Sequence, residues 1–333
     1  MECFPHGITA EDKVYTMNKV ALTIIQIFSV AAIALYFHPL KDKTIGYAEA
    51  TNSSEESSHK GGVITVGSIS PAIKEKIAKC KPFADYLADR LRAEGISRGR
   101  VLVATSMAEM AIFMKKGEVD LYIGSLLPII ELMQLSGAKP FLRRWKNGVA
   151  EYQSVIFVRK DSRIKTLEDL KGKMIAFDES YSTSGYLLPK ATLMQEGLIL
   201  IEYDNVFSQV PLDRVGYVFS HDDENTMFWV LKGRVPAGAT DIISFYELAG
   251  VRRDELRILL KSIDVPRQVV AHRGDLSPGL VTAIEGVLLS MDEDLEGKAI
   301  LNGFQNTKKF DKFPEGVEKA FKPIKGLMKF IEK

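Results

Sequence analysis

Cysteine is nearly absent: Cys3 and Cys80 are the two thiols in 333 residues. So few exclude a disulfide scaffold and a cysteine-rich metal site, and neither lies in a CxxC pair. An excess of one charge is missing too. With 44 basic against 43 acidic side chains the net charge is +1, which excludes a broad nucleic-acid surface. GxSxG, HExxH and the phosphate loop GxxxxGK[ST] are absent, removing the common signatures of serine hydrolases, zinc proteases and nucleotidases. What remains is 46% hydrophobic and 26% charged. That is a globular composition, long enough for one large or two medium domains.

The longest uncharged apolar run is Val20–Phe37, longer than most signal-peptide cores and a little short for a spanning helix. The residues before it carry Glu2, Glu11 and Asp12, whereas Met17-Asn18-Lys19 would make a better secretory start, so both Met1 and Met17 stand as translation starts. Ala48-Glu49-Ala50 offers a small-x-small cleavage site, placed late. Three readings stay open for residues 1–50: a cleaved export signal, an uncleaved membrane anchor, or a buried core helix. Either of the first two puts the remainder in a periplasmic or extracytoplasmic location, anchored to the inner membrane through Val20–Phe37 in the second case. No cysteine follows the run, which argues against a lipoprotein. Residues 51–62 (TNSSEESSHKGG) are polar and aperiodic and read as a flexible tether.

Beyond the tether, short β-branched runs alternate with helical patterns, the rhythm of an α/β layer fold. Strands are expected at Val63–Ile69, Val101–Thr105, Asp120–Ile123, Tyr152–Arg159, Lys173–Phe177, Ala237–Ile243 and Val265–His272. Helices are expected at Pro71–Ala93, Met107–Lys116, Leu127–Leu135, from Ser184 onward, and at Asp223–Leu231, Pro278–Met291, Leu295–Leu301 and Glu315–Ile331. Two long extended segments bracket a self-contained α/β unit. A chain that leaves one lobe and later returns makes a two-strand hinge, with a cleft between lobes where small ligands bind.

Ser182-Thr183-Ser184-Gly185 stands between an expected strand and an expected helix. Small hydroxyl residues at a helix start supply donors and leave backbone N–H groups free at the positive end of the helix dipole. The pattern suits a tetrahedral oxyanion, but Ser and Thr are also ordinary helix caps. Spacing alone does not separate the two.

The surrounding residues go further. Y-Q-S-V-I-F-V-R-K-D-S at 152–162, L-E-D-L-K-G-K at 167–173 and S-T-S-G-Y-L-L-P at 182–189 together resemble the phosphate-, phosphite- and phosphonate-binding (PhnD-like) periplasmic proteins of ABC importers. Weaker pieces are V-G-S-I-S-P at 66–71, P-F-A-D-Y-L at 82–87, V-D-L-Y-I-G at 119–124, Ser220-His221-Asp222 and V-P-R-Q-V-V at 265–270. The resemblance implies an α/β, two-lobed periplasmic-binding-protein type II fold with a two-strand hinge, preceded by the signal or anchor segment. Its lobe I would hold 63–157 and 262–333, and lobe II 158–261. The expected function is capture of a phosphorus oxyanion by lobe closure for a membrane permease, without catalysis and without a cofactor or metal. Ser182, Thr183, Ser184 and Gly185 would hold the oxyanion, Tyr152 would reach it from the hinge, and His221 would add a donor. Ser70, Ser106, Ser125, Asp241 and Gln268 are secondary candidates. The protein is expected to be a monomer.

The sequence also departs from the family. Thr105-Ser106-Met107 replaces a ligand-facing tyrosine loop, Pro236 replaces an acid, and His221 is about two residues out of place. Carboxylates that hold an amine in aminophosphonate binders would fall close to Ile243, where Asp241 is the nearby acid, and close to Gln268. A ligand amine is therefore expected to be disfavoured. His221-Asp222-Asp223 is read as helix-capping, the lone His272 as structural or exposed, Arg143-Arg144-Trp145 as an exposed loop or hinge contact, and the C-terminal lysines as a solvated helix face. Two other functions remain in view: a membrane-tethered sensory input protein that signals to a membrane sensor partner, and an enzyme on the same fold, which the absence of a base for Ser184 argues against.

Overall fold

The computed structural model describes residues 62–331. The apolar segment Val20–Phe37, both translation starts and nearly all of the tether lie outside the described residues. Within them, no helix is long and apolar enough to cross a membrane.

In chain order the strands are β1 (Gly62–Ile69), β2 (Ile96–Ala104), β3 (Leu121–Gly124), β4 (Lys139–Lys146), β5 (Glu151–Tyr152), β6 (Ser154–Arg159), β7 (Lys173–Phe177), β8 (Leu200–Glu202), β9 (Val215–Phe219), β10 (Ala237–Asp241), β11 (Leu256–Lys261), β12 (Val265–Pro266), β13 (Gln268–His272) and β14 (Thr307–Asp311). The helices are α1 (Ile73–Arg90), α2 (Met107–Lys115), α3 (Leu126–Ser136), α4 (Leu188–Gln195), α5 (Asp223–Leu231), α6 (Ile242–Ala249), α7 (Pro278–Ser290), α8 (Leu295–Gly303) and α9 (Val317–Ile331). One six-stranded sheet runs β14-β4-β13-β3-β1-β2 and a second runs β11-β6-β10-β7-β9-β8. Each is a lobe, and the expected two-lobed α/β architecture is what the chain adopts.

Strand burial explains the layering. The middle of β1 is buried on both faces, and so is most of β6, as a central strand covered by helices on each side must be. β1 pairs in parallel with β2 and β3, and β7 in parallel with β9 and β10. Parallel neighbours with helical crossovers send their carboxyl ends to one edge of each sheet. The chain passes from the first lobe through β5 into β6, and returns from β11 through β12 into β13. β5 and β12 pair antiparallel, Tyr152 opposite Val265, and this is the two-strand hinge.

β4 is a difference from the sequence reading. Arg143-Arg144-Trp145 is no exposed loop, since β4 is an inner strand and both arginines are buried. Arg143 gives a two-pronged hydrogen bond to Asp311 and a third to Glu151, so its charge is met inside the fold. The Cζ of Arg144 lies 4.4 Å above the Phe304 ring.

The helix from the returning chain crosses back. Phe321, Ile324 and Leu327 of α9 share an apolar cluster with Leu187, Leu188 and Ala191 of the second lobe and with Leu126 and Leu127 of the first. The lysine face of α9 stays exposed, as its pattern implies. Phe321 is fully buried. Phe321→Ala is expected to cost about 3–5 kcal/mol, read as a lower urea midpoint with unchanged m-value.

Candidate functional site

The site is set where β7 turns into α4. The Asp178 N–H donates to the Gly185 carbonyl at 3.1 Å, and the Leu187 N–H to the Ser182 carbonyl at 3.0 Å, so Thr183–Leu187 forms a π-helical turn. The Ser182 hydroxyl accepts the Gly185 N–H at 3.0 Å. Glycine is required at 185, because a Cβ there would stand 2.4 Å from the Asp178 Cβ. As the first residues of the turn, Thr183 and Ser184 have no intrahelical acceptor for their N–H groups. Ser182 therefore does cap a helix, and the helix start also sits at the junction of the lobes.

Three contacts fix it there. The Thr183 hydroxyl accepts the Leu127 N–H at 2.8 Å, tying the amino end of α3 in the first lobe to the second. The Ser154 hydroxyl donates to the Ser184 carbonyl at 2.5 Å. The Tyr152 phenol, from the hinge, lies close to the Ser184 side chain. Thr183, Ser184 and Tyr152 are all buried, and burial pushes the Tyr152 phenol up to about 12, so at neutral pH it keeps its proton and can donate.

The secondary candidates divide. Ser70, Ser106 and Ser125 follow the carboxyl ends of β1, β2 and β3 and so share one edge of the first sheet. The Ser70 hydroxyl accepts the Ala72 N–H, and Ser106 caps α2 through the Glu109 N–H, while Ser125 opens α3 without a side-chain cap bond. Asp241 ends β10 and caps α6, accepting the N–H groups of Ile243 and Ser244. Gln268 is engaged by Arg144 at 2.5 Å. His221 has a left-handed backbone (φ 67) and a largely exposed ring, its Nδ1 3.4 Å from Glu179 Oε2. Asp222 caps α5, as its position beside a helix start suggested, and His272 is buried with Nδ1 2.7 Å from the Arg273 carbonyl.

Sequence reading did not single out Asp178 or Arg267, and took Asp223 for a helix-capping acid. Arg267 lies inside the quoted V-P-R-Q-V-V stretch, and its Nη1 is 3.4 Å from Asp241 Oδ1. Asp178 and Asp223 line a cavity of about 430 Å³ with Tyr181, His221, Ser244 and Glu247. Burial, and then the neighbouring Asp223 charge, push the Asp178 carboxyl up to about 7. Burial also raises Asp223, against the hydroxyl of Thr240. Both acids are thus drawn toward the neutral form, which lessens their repulsion of an anion. Among the described residues no group of three or more His, Cys, Asp or Glu side chains could hold a metal ion.

A family model for the periplasmic phosphonate substrate-binding proteins of ABC transporters matches residues 69–314. The chain belongs to that family. Members are substrate-binding components of transporters, which work with a membrane permease and are not enzymes. Among solved structures, XAC2383 from Xanthomonas citri is 26% identical. Bound to a chloride ion it superposes with TM-score 0.76 over 81% of this chain and 99% of that one, and bound to ATP with TM-score 0.75 over 81% and 98%. PhnD1 from Prochlorococcus marinus, in complex with methylphosphonate, is 20% identical with TM-score 0.60 over 81% and 98%, and shares the fold.

The raised Asp178 carboxyl sets a pH dependence. An unfolded aspartate titrates near 4 and the folded one at about 7, so between those values the folded state holds the proton more tightly and stability falls as pH rises. Asp178→Asn removes this titration. Urea unfolding across that window is expected to show a flatter pH slope, by up to about 1.4 kcal/mol per pH unit, and a more stable variant above pH 7. An unchanged slope would place the titration elsewhere.

Proposed function

We propose that the protein captures a small phosphorus oxyanion (phosphate, phosphite or an alkylphosphonate) between its lobes and presents it to the permease in the closed form. The observation that carries this reading is the helix start at Thr183–Ser184, buried at the lobe junction beside the Tyr152 phenol. Two N–H groups without an intrahelical acceptor, a helix dipole and a cluster of hydroxyls at one helix start suit recognition of a tetrahedral anion. The relative solved with chloride and with ATP is an anion binder in both states. A ligand amine is disfavoured, because the charge of Asp241 is shared between its helix cap and Arg267. His221, on the exposed rim, would reach only a ligand that extends past the hydroxyl cluster.

Closure would turn on the β5–β12 ladder, with 63–157 and 262–333 moving against 158–261. β6 straddles the first of those borders and pairs only within the second sheet. The protein would act as a monomer, a phosphorus oxyanion being small enough for one cleft.

The test is a thermal-shift screen of the full chain against phosphate, phosphite, methylphosphonate, 2-aminoethylphosphonate, ATP and sulfate. A phosphorus oxyanion is expected to raise the melting temperature by mass action, more than 2-aminoethylphosphonate or sulfate does. A larger shift with either of those two would sink the assignment. Replacing Ser182, Thr183 and Ser184 together by Ala should abolish calorimetric binding while the circular dichroism stays that of the parent. Surviving affinity would move the site elsewhere.

A further inference from the structure

Three arginines are buried among the described residues, Arg143, Arg144 and Arg267, and they are not equally satisfied. Arg143 meets two carboxylates through three of its donors. Arg144 has no carboxylate, but gives hydrogen bonds to Thr307 Oγ1, Gln268 Oε1, Gln305 Oε1 and the Phe304 carbonyl. Arg267 is left short. With its side chain only 7% exposed, it makes one long contact, Nη1 to Asp241 Oδ1 at 3.4 Å, and its Nε is buried with no partner.

The carboxylate it leans on is already committed. Asp241 Oδ1 accepts the Ile243 and Ser244 N–H groups at 2.9 and 3.1 Å, and Oδ2 accepts the Ser244 hydroxyl at 2.7 Å. Arg267 is therefore a third claimant on Oδ1, at a length where a hydrogen bond is weak. A buried guanidinium held so loosely has lost its hydration without recovering it in contacts, which leaves it ready for a better acceptor. Its position is at the lobe junction. Arg267 follows β12 in the hinge, and its Cζ lies 5.1 Å over the ring of Tyr152. Tyr152 in turn lies close to Ser184 at the helix start. Cation, phenol and helix end thus form one chain of contacts across the lobe junction.

We propose that Arg267 is the cation that meets the ligand's charge, and that Asp241 holds it in place while no anion is bound. This rests on the oxyanion reading above and narrows it. The forked guanidinium matches an acceptor offering two oxygens, so the favoured class is a doubly charged phosphate or alkylphosphonate.

The test is calorimetry on the full chain with methylphosphonate and with phosphate. Arg267→Gln is expected to weaken binding roughly 10- to 100-fold, the worth of a charged hydrogen bond, and Arg267→Lys, which restores charge without the fork, should recover part of it. Asp241→Asn keeps an oxygen for the helix cap but gives up the competing charge, so it should tighten binding about tenfold. Parent-like affinity in Arg267→Gln overturns the proposal while leaving the oxyanion reading intact. If Arg267→Gln does not fold, Asp241→Asn decides: tighter binding supports the proposal, and unchanged or weaker binding overturns it. A parent chain that binds neither anion defeats the oxyanion reading, and this inference with it.

Discussion

Everything at the lobe junction depends on the short ladder in which Tyr152 lies opposite Val265. A chain that must leave one lobe and return can do so only where both crossings run side by side. Pairing the two crossings satisfies backbone groups that would otherwise be buried without partners. It also leaves just two residues per strand to resist rotation. The crossings carry Tyr152 and Arg267 to the lobe junction because they are the crossings. The Arg267 N–H donates to the Ala150 carbonyl at 2.8 Å, so its backbone is tied to the opposite crossing.

A net charge of +1 over 333 residues means that the proposed anion capture cannot come from a long-range field, which would need a clear excess of one sign. Local arrangement has to supply it. Two buried arginines are fully engaged within the first lobe, which removes them as competitors for a ligand, and the third stands at the hinge. The acids opposite would be unfavourable if fully ionised. Burial draws Asp178 and Asp223 toward their neutral forms, and the same desolvation strengthens any hydrogen bond made to an anion in the cleft.

How much of this was legible in the sequence depended on distance along the chain. The π-helical turn at Ser182–Gly185 could be found because its signals are local: a strand, small hydroxyl residues, a glycine and an apolar helix. The hinge strand at 152–159 announced itself by its β-branched run. β4 (KPFLRRWK) and β14 (TKKFD) did not, since their charges read as solvent-exposed. Arg143 of β4 is buried where it meets Asp311, 168 residues away. Thr183 to Leu127 spans 56 residues and Arg267 to Asp241 spans 26. Nothing in the local pattern of either partner points to the other. Arg267 stood in plain view within V-P-R-Q-V-V, but a lone arginine beside a strand is more often exposed than buried.

The meeting of the two lobes also sets a problem that the Thr183 hydroxyl answers. In the described structure the amino end of α3 and the turn beginning at Thr183 meet across the junction, and both are positive ends of helical segments. Two such ends brought together repel unless an acceptor lies between them. Thr183 Oγ1 is that acceptor, taking the Leu127 N–H at 2.8 Å while its own N–H opens the turn behind it. A neutral hydroxyl can meet one donor in this way and does not cancel the field of either end. On the proposed reading, a doubly charged oxyanion with several lone pairs would meet donors from both lobes at once, which would make the closed arrangement more favourable with ligand than without it. By linkage, the preference of the ligand for the closed form and the push toward closure are one free energy. The hydroxyl at Thr183 lets the two helix ends meet, and on the proposed reading the charge that would hold the lobes together is the ligand's own.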